Sequence, residues 1–114
     1  MMLNKLRFFG TNLFKFNKLA SNQLQAIYEK LEYLDEIDNL EFDGSILNIQ
    51  FHNNKFILIN KHEPSQKLWY SSFSGLDYFQ YQDDKWISTR SGLCMFNILS
   101  NDIYKAVGVD IKFK

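Results

Sequence analysis

Cysteine is almost missing from this sequence. Cys94 is the only one, so no internal disulfide can form and no cysteine-based metal motif can be written. A single thiol is consistent with a reducing compartment. No apolar run approaches the ~20 residues needed to span a bilayer, so no membrane insertion is expected. There is one proline, and no repeat or low-complexity stretch interrupts the chain. Acidic residues are absent from residues 1–28, which carry Lys5, Arg7, Lys15 and Lys18. The formal net charge of zero therefore conceals an asymmetry, because the remainder sets nine cations against all thirteen acids.

Aromatic residues are abundant: eleven Phe and six Tyr contribute to an aromatic share of 17%. That content excludes disorder, whose composition is poor in aromatic and β-branched residues. A length of 114 residues is that of one domain, long enough to remove about two-thirds of the unfolded surface from water.

Leu3, Leu6, Phe9, Leu13 and Phe14 recur at roughly helical spacing with cations between them. An acid-free, basic, amphipathic N-terminus has the composition of a mitochondrial-type targeting segment. Residues 1–20 are expected to be such a segment and 21–114 the folded domain. The same composition also suits a basic helix that belongs to the mature domain.

From Ser21, a suitable cap, the apolar positions Leu24, Ile27, Tyr28, Leu31, Leu34 and Ile37 define one stripe and predict a helix over 21–38. The period then falls to two. Leu47, Ile49 and Phe51 alternate with polar residues, and strands are expected near 55–61, 67–72, 78–82 and 85–88, separated by short turns. Asp83-Asp84 is one such turn. Connections this short imply an antiparallel meander. A second helix carries Leu93, Phe96, Leu99, Ile103 and Val107 and stops at Gly108. Helix, run of strands, helix argues an α+β fold with both helices on one sheet face.

The other face would then meet water. Parity groups Asn60, Lys67, Trp69, Tyr78 and Gln80 on the more polar side, with Phe56 and Leu58 beside them. An outward Trp in an apolar patch with a polar rim suits a partner surface. A strand Trp is also often core, and Trp86 is expected to be core.

Ile59-Asn60-Lys61-His62, the Pro64 loop, Lys67-Leu68-Trp69-Tyr70-Ser71-Ser72, then Gly75, Trp86 and Ser91-Gly92 together resemble the central segment of frataxins. The likeness covers about residues 21–114. It implies a two-layer α–β sandwich, two helices packed on one face of an antiparallel sheet. It also implies docking on the complex of cysteine desulfurase and iron–sulfur scaffold protein, promotion of iron–sulfur cluster assembly, and weak binding of iron (Fe2+/Fe3+). Asn60 and Trp69 match the family's partner-contacting positions, and Lys61, His62, Lys67 and Tyr78 are expected to join them. His62 and Lys67 stand where Gln is usual, and Tyr78 where many mitochondrial members carry Arg. A mitochondrial matrix or mitosomal location follows from the same likeness and the basic N-terminus.

Glu29, Glu32, Asp35, Glu36, Asp38, Glu41 and Asp43 fall within fifteen residues, with Lys30 as the only cation among them. On a helix, carboxylates three or four apart repel, which a cation or a basic partner would relieve. The resemblance places iron on this ridge. All-oxygen ligands suit hard cations, and neither His52 nor His62 lies in the segment, so a site here would be exposed and exchangeable. A solvated helix face is the plainer reading. Function is therefore expected to be that of a binding protein that activates a partner complex. An iron chaperone or ferroxidase is the alternative, though no buried carboxylate–histidine set supports an efficient oxidase. Nucleic-acid binding is not expected of an acidic domain without a basic stripe. The protein is expected to be a monomer on its own. Cys94 reads as a packed small side chain.

Overall fold

A computed structural model describes residues 2–113, with side chains from residue 13 onward. Helix α1 (Met2–Leu31) is followed by strands β1 (Ile37–Phe42), β2 (Ile46–Phe51), β3 (Phe56–His62), β4 (Lys67–Ser72), β5 (Gly75–Gln82) and β6 (Lys85–Ser88), and then by helix α2 (Met95–Val107). The strands form one sheet in the order β1 to β6, each antiparallel to the last. This is the expected meander with two helices packed on one face.

The helix starts well before Ser21. Phe16, Ala20, Leu24, Ile27 and Leu31 are all buried, and their steps of three and four make one continuous apolar stripe. Phe16 is only 4% exposed and meets Trp86 edge-on, with ring centroids 6.0 Å apart. Leu13 and Leu19 pack against the same core. Residue 20 is thus no structural boundary, and residues 13–20 are core-forming helix, as the basic-helix alternative has it. The side chains of Leu3, Lys5, Leu6, Arg7 and Phe9, on which the targeting expectation also rested, lie outside the described residues. Ser21 is not a cap but sits inside the helix, where its hydroxyl donates to the Gly44 carbonyl at 3.2 Å.

The same helix ends at Leu31 rather than near 38. Two tight turns follow, closed by Leu34 N–H to Leu31 C=O at 3.1 Å and Ile37 N–H to Leu34 C=O at 3.2 Å. Leu34 and Ile37 still pack on the core, so their spacing imitated another helical turn. Residues 37–42 are strand. A bulge between Ile37 and Asn39 shifts the register, which puts Ile37 and Leu40 on one face although they are three apart.

Elsewhere the turns follow the sequence. Asp83 and Asp84 both have positive φ, 53° and 63°, the requirement of the two-residue hairpin turn whose twist matches the strands. Gly108 ends α2 at φ 73°, and its N–H donates to the Tyr104 carbonyl at 2.8 Å. Only a residue without Cβ adopts that conformation freely. The tail, residues 109–113, alternates in sequence yet joins no strand. Val109, Ile111 and Phe113 pack against the core, with the Phe113 ring stacked on Phe96 at 5.8 Å. Among the described residues, no helix is long and apolar enough to cross a membrane.

Candidate functional site

On β3 and β4 the residues facing the helices are Ile57, Ile59, Leu68 and Tyr70, all buried. Their neighbours in sequence point away. The register then aligns side chains across the bare face: Ile46 opposes Asn60, Asn60 opposes Trp69, and Trp69 opposes Tyr78. One step along, His62 opposes Lys67. Cross-strand neighbours on one face are close enough for aromatic side chains to touch.

They do touch. The His62 ring stacks on Trp69, centroids 3.8 Å apart and planes 18° from parallel. Tyr78 meets the other side of Trp69 edge-on at 5.6 Å. The Arg90 guanidinium lies 5.8 Å from the centre of the Tyr78 ring and donates to the Leu76 carbonyl at 3.1 Å. Trp69 is 39% exposed, whereas Trp86 is 3% exposed. The expected division between an outward and a core tryptophan is therefore what the fold contains. Phe56 is exposed on the same face and extends the apolar patch.

The structure brings Asn60, His62, Lys67, Trp69 and Tyr78 together on this face. Lys61 is different. Its parity is that of Ile59, and its Nζ donates to Ser21 Oγ at 3.3 Å beneath α1. It belongs to the helix side of the sheet and, contrary to the expectation, does not share the bare face with the others.

The acidic residues do not form one helix face, because α1 stops before Glu32. Glu29 lies on the helix and accepts a hydrogen bond from Gln25 Nε2 at 2.9 Å. Glu32, Asp35 and Glu36 lie in the connecting turns. Asp38 and Glu41 are on β1, where Glu41 pairs with Asn48 across the bare face. Asp38 has His52 Nε2 at 3.8 Å, with both side chains well exposed. Asp43 is occupied locally, since its Oδ1 accepts the N–H groups of Ile46 at 2.8 Å and Ser45 at 2.9 Å. Those two donors hold its carboxyl below the usual carboxylate range. Among the described residues, no three His, Cys, Asp or Glu side chains converge as a metal-holding group.

A cluster that the sequence analysis did not single out lies on the helix side. Asp102 of α2 is 3% exposed, and no cation pairs with it among the described residues. Its carboxylate accepts instead from three hydroxyls: Tyr70 at 2.6 Å, Ser74 at 2.7 Å and Ser72 at 3.0 Å. Burial, reinforced by this carboxylate, pushes the Tyr70 hydroxyl far above the ordinary tyrosine range. The signal was in the sequence, because Asp102 stands three residues after Leu99 on the buried stripe of α2.

These features define a two-layer α–β sandwich whose solvent-facing sheet carries an aromatic anchor. A family model for the frataxin-like domain matches residues 11–109, and the chain belongs to the frataxin family. It is 29% identical over 99 residues to the iron–sulfur cluster assembly protein CyaY of Vibrio atlanticus, covering 87% of this chain and 95% of that one. The Vibrio vulnificus CyaY is 30% identical over 97 residues, covering 85% and 93%. The frataxin of Psychromonas ingrahamii superposes with a TM-score of 0.82 at 28% identity, over 90% of this chain and 97% of that one. Trimeric yeast frataxin complexed with ferrous iron has the same fold, with a TM-score of 0.65 at 24% identity over 82% and 86%. The two CyaY proteins are bacterial, so they lend the expected mitochondrial or mitosomal location no support. The family match also begins at residue 11, inside the segment expected to be an address.

Proposed function

We propose that this protein promotes iron–sulfur cluster assembly by docking on a cysteine desulfurase–scaffold complex through the bare face of its sheet. The observation that carries this reading is Trp69, held outward between His62 and Tyr78 while the other tryptophan is spent on the core. An aromatic side chain fixed in place loses little freedom when it enters a partner pocket, which is why such residues dominate interface energetics. Asn60, Lys67 and Phe56 supply the surrounding polar and apolar contacts.

Iron in this reading is cargo. The carboxylates of Glu29, Glu32, Asp35, Glu36, Asp38 and Glu41 are spread over a helix end, two turns and a strand edge. That dispersal supports weak, exchangeable holding of a hard cation by oxygen ligands more than it supports an oxidase centre. A basic surface on the desulfurase would find the same charges.

Isothermal titration of the desulfurase–scaffold complex from the same organism tests the reading. Trp69→Ala should weaken binding by at least about thirtyfold, the equivalent of ~2 kcal/mol for a central interface Trp, while melting close to wild type. Trp86→Ala should instead lose on the order of 3–5 kcal/mol of stability. Full affinity in Trp69→Ala would remove the docking face from this surface.

A further inference from the structure

We infer that His62 is a positioning residue that fixes the Trp69 indole in its docking orientation, an inference that rests on the proposed role of the bare face. Three observations on the ring combine. It is stacked on the indole at 3.8 Å and 18°. Its Nδ1 accepts the Ser65 backbone N–H at 3.3 Å and lies 2.7 Å from Ser65 Oγ. Ser65 in turn sits in the tight β3–β4 turn, closed by Gln66 N–H to Glu63 C=O at 3.1 Å. A backbone N–H can only donate, so Nδ1 is an acceptor and the ring hydrogen of the neutral imidazole is on Nε2. The imidazole is thereby tied at one edge to a turn that also contains Pro64, and its flat face is presented to Trp69.

Tyr78 abuts Trp69 edge-on from the opposite strand, and Arg90 backs Tyr78. The indole is thus bracketed on two sides by groups anchored elsewhere in the fold. Without the imidazole, one side of the bracket opens, and rotamers that lay the indole over the β3–β4 turn become accessible. An anchor that samples several rotamers must give that freedom up on binding. A stacked aromatic pair contributes enough to make the loss roughly two- to tenfold in affinity.

The full chain labelled with 5-fluorotryptophan gives one fluorine resonance for each of Trp69 and Trp86, assigned with Trp69→Phe. In His62→Ala the Trp69 resonance should shift and the Trp86 resonance stay, with the melting temperature lowered by about 2–6 °C, the share of one stacked pair. Affinity for the desulfurase–scaffold complex should fall roughly two- to tenfold. His62→Phe, which restores a flat partner but not its tie to Ser65, should recover only part of both. A Trp69 resonance unmoved in His62→Ala overturns the positioning role. So does a moved resonance with undiminished affinity, provided Trp69→Ala itself abolishes binding. If Trp69→Ala binds normally, the docking reading fails, and broadening or splitting of the Trp69 resonance in His62→Ala, which loss of the imidazole ring current alone does not produce, decides whether His62 orients the indole.

Discussion

Replacing Asp102 by alanine should destabilise this protein more than its single side chain suggests. The carboxylate is nearly inaccessible and is the common acceptor for Tyr70, Ser72 and Ser74. It ties α2 to β4 and to the turn that follows. Hydrogen bonds to a charged acceptor contribute about 1.5–3 kcal/mol each. They are not additive here, because Ser74 can turn to water and because removing the charge also removes its desolvation cost. The buried Tyr70 hydroxyl has no such exit, and stranding it costs about 1–3 kcal/mol, whereas Ser72 Oγ keeps Ser74 Oγ as a partner at 2.9 Å. The net loss should be about 3 kcal/mol, a fall in melting temperature of about 12 °C for a domain of this size. Urea and thermal unfolding of Asp102→Ala, Tyr70→Phe and the double variant measure it. The cycle should show a coupling of at least ~0.5 kcal/mol. Titration provides an independent check. The native state keeps the Tyr70 proton, while the unfolded state releases it near the ordinary tyrosine value of about 10. This contribution to stability is complete below that pH and fades as pH rises above it. Tyr70→Phe should therefore lose less stability than wild type between about pH 10 and 11. An Asp102→Ala protein within ~1 kcal/mol of wild type would refute the network as a structural tie.

Deleting residues 1–20 removes Phe16 and Ala20 from the core and should cost at least about 3–5 kcal/mol. A 1–20 deletion that melts like the full chain would restore the boundary at residue 20. Changing Glu29, Glu32, Asp35 and Glu36 together to Gln or Asn should weaken Fe(II) binding in a calorimetric titration, with stability altered by no more than ~0.5 kcal/mol. An unchanged titration would place the cation elsewhere.

Strands β2 to β6 and most of α2 were legible because their local and tertiary preferences agree; Leu93, expected on the α2 stripe, precedes the helix and is exposed. Strict alternation, two-residue turns and a Gly stop have one physical meaning each, and Gly108 and the Asp83-Asp84 turn are where the sequence places them. Segment 31–42 was misread because two different causes give a spacing of three. Leu31 and Leu34 are three apart across a helix end, and Leu34 and Ile37 across a tight turn, as the carbonyl acceptors of those turns show. Ile37 and Leu40 are three apart across a bulge. All four side chains need the same core, so burial imposed the period while the backbone changed beneath it. The N-terminal boundary failed for a related reason. Lys15 and Lys18 flank Phe16 and Ala20, and a basic solvent face on a core helix has the same composition as an address.

The candidate site was legible to the level of parity and no further. Alternation separated Trp69 from Leu68 and Tyr70 and gave the face its members. It also gave Lys61 the parity of Ile59, so the strand period had already assigned that lysine to the helix side. What no one-dimensional pattern contains is the choice of contact partner among residues on one face. His62 and Lys67 oppose one another in register, yet the His62 ring turns to the diagonal neighbour Trp69, because Ser65 in the adjoining turn holds its Nδ1. The orientation of the anchor is thus set by a loop four residues away in the chain. For that reason the exposed tryptophan is a property of the β3–β4 hairpin as a unit, and substitutions in the turn should reach the docking face without touching it.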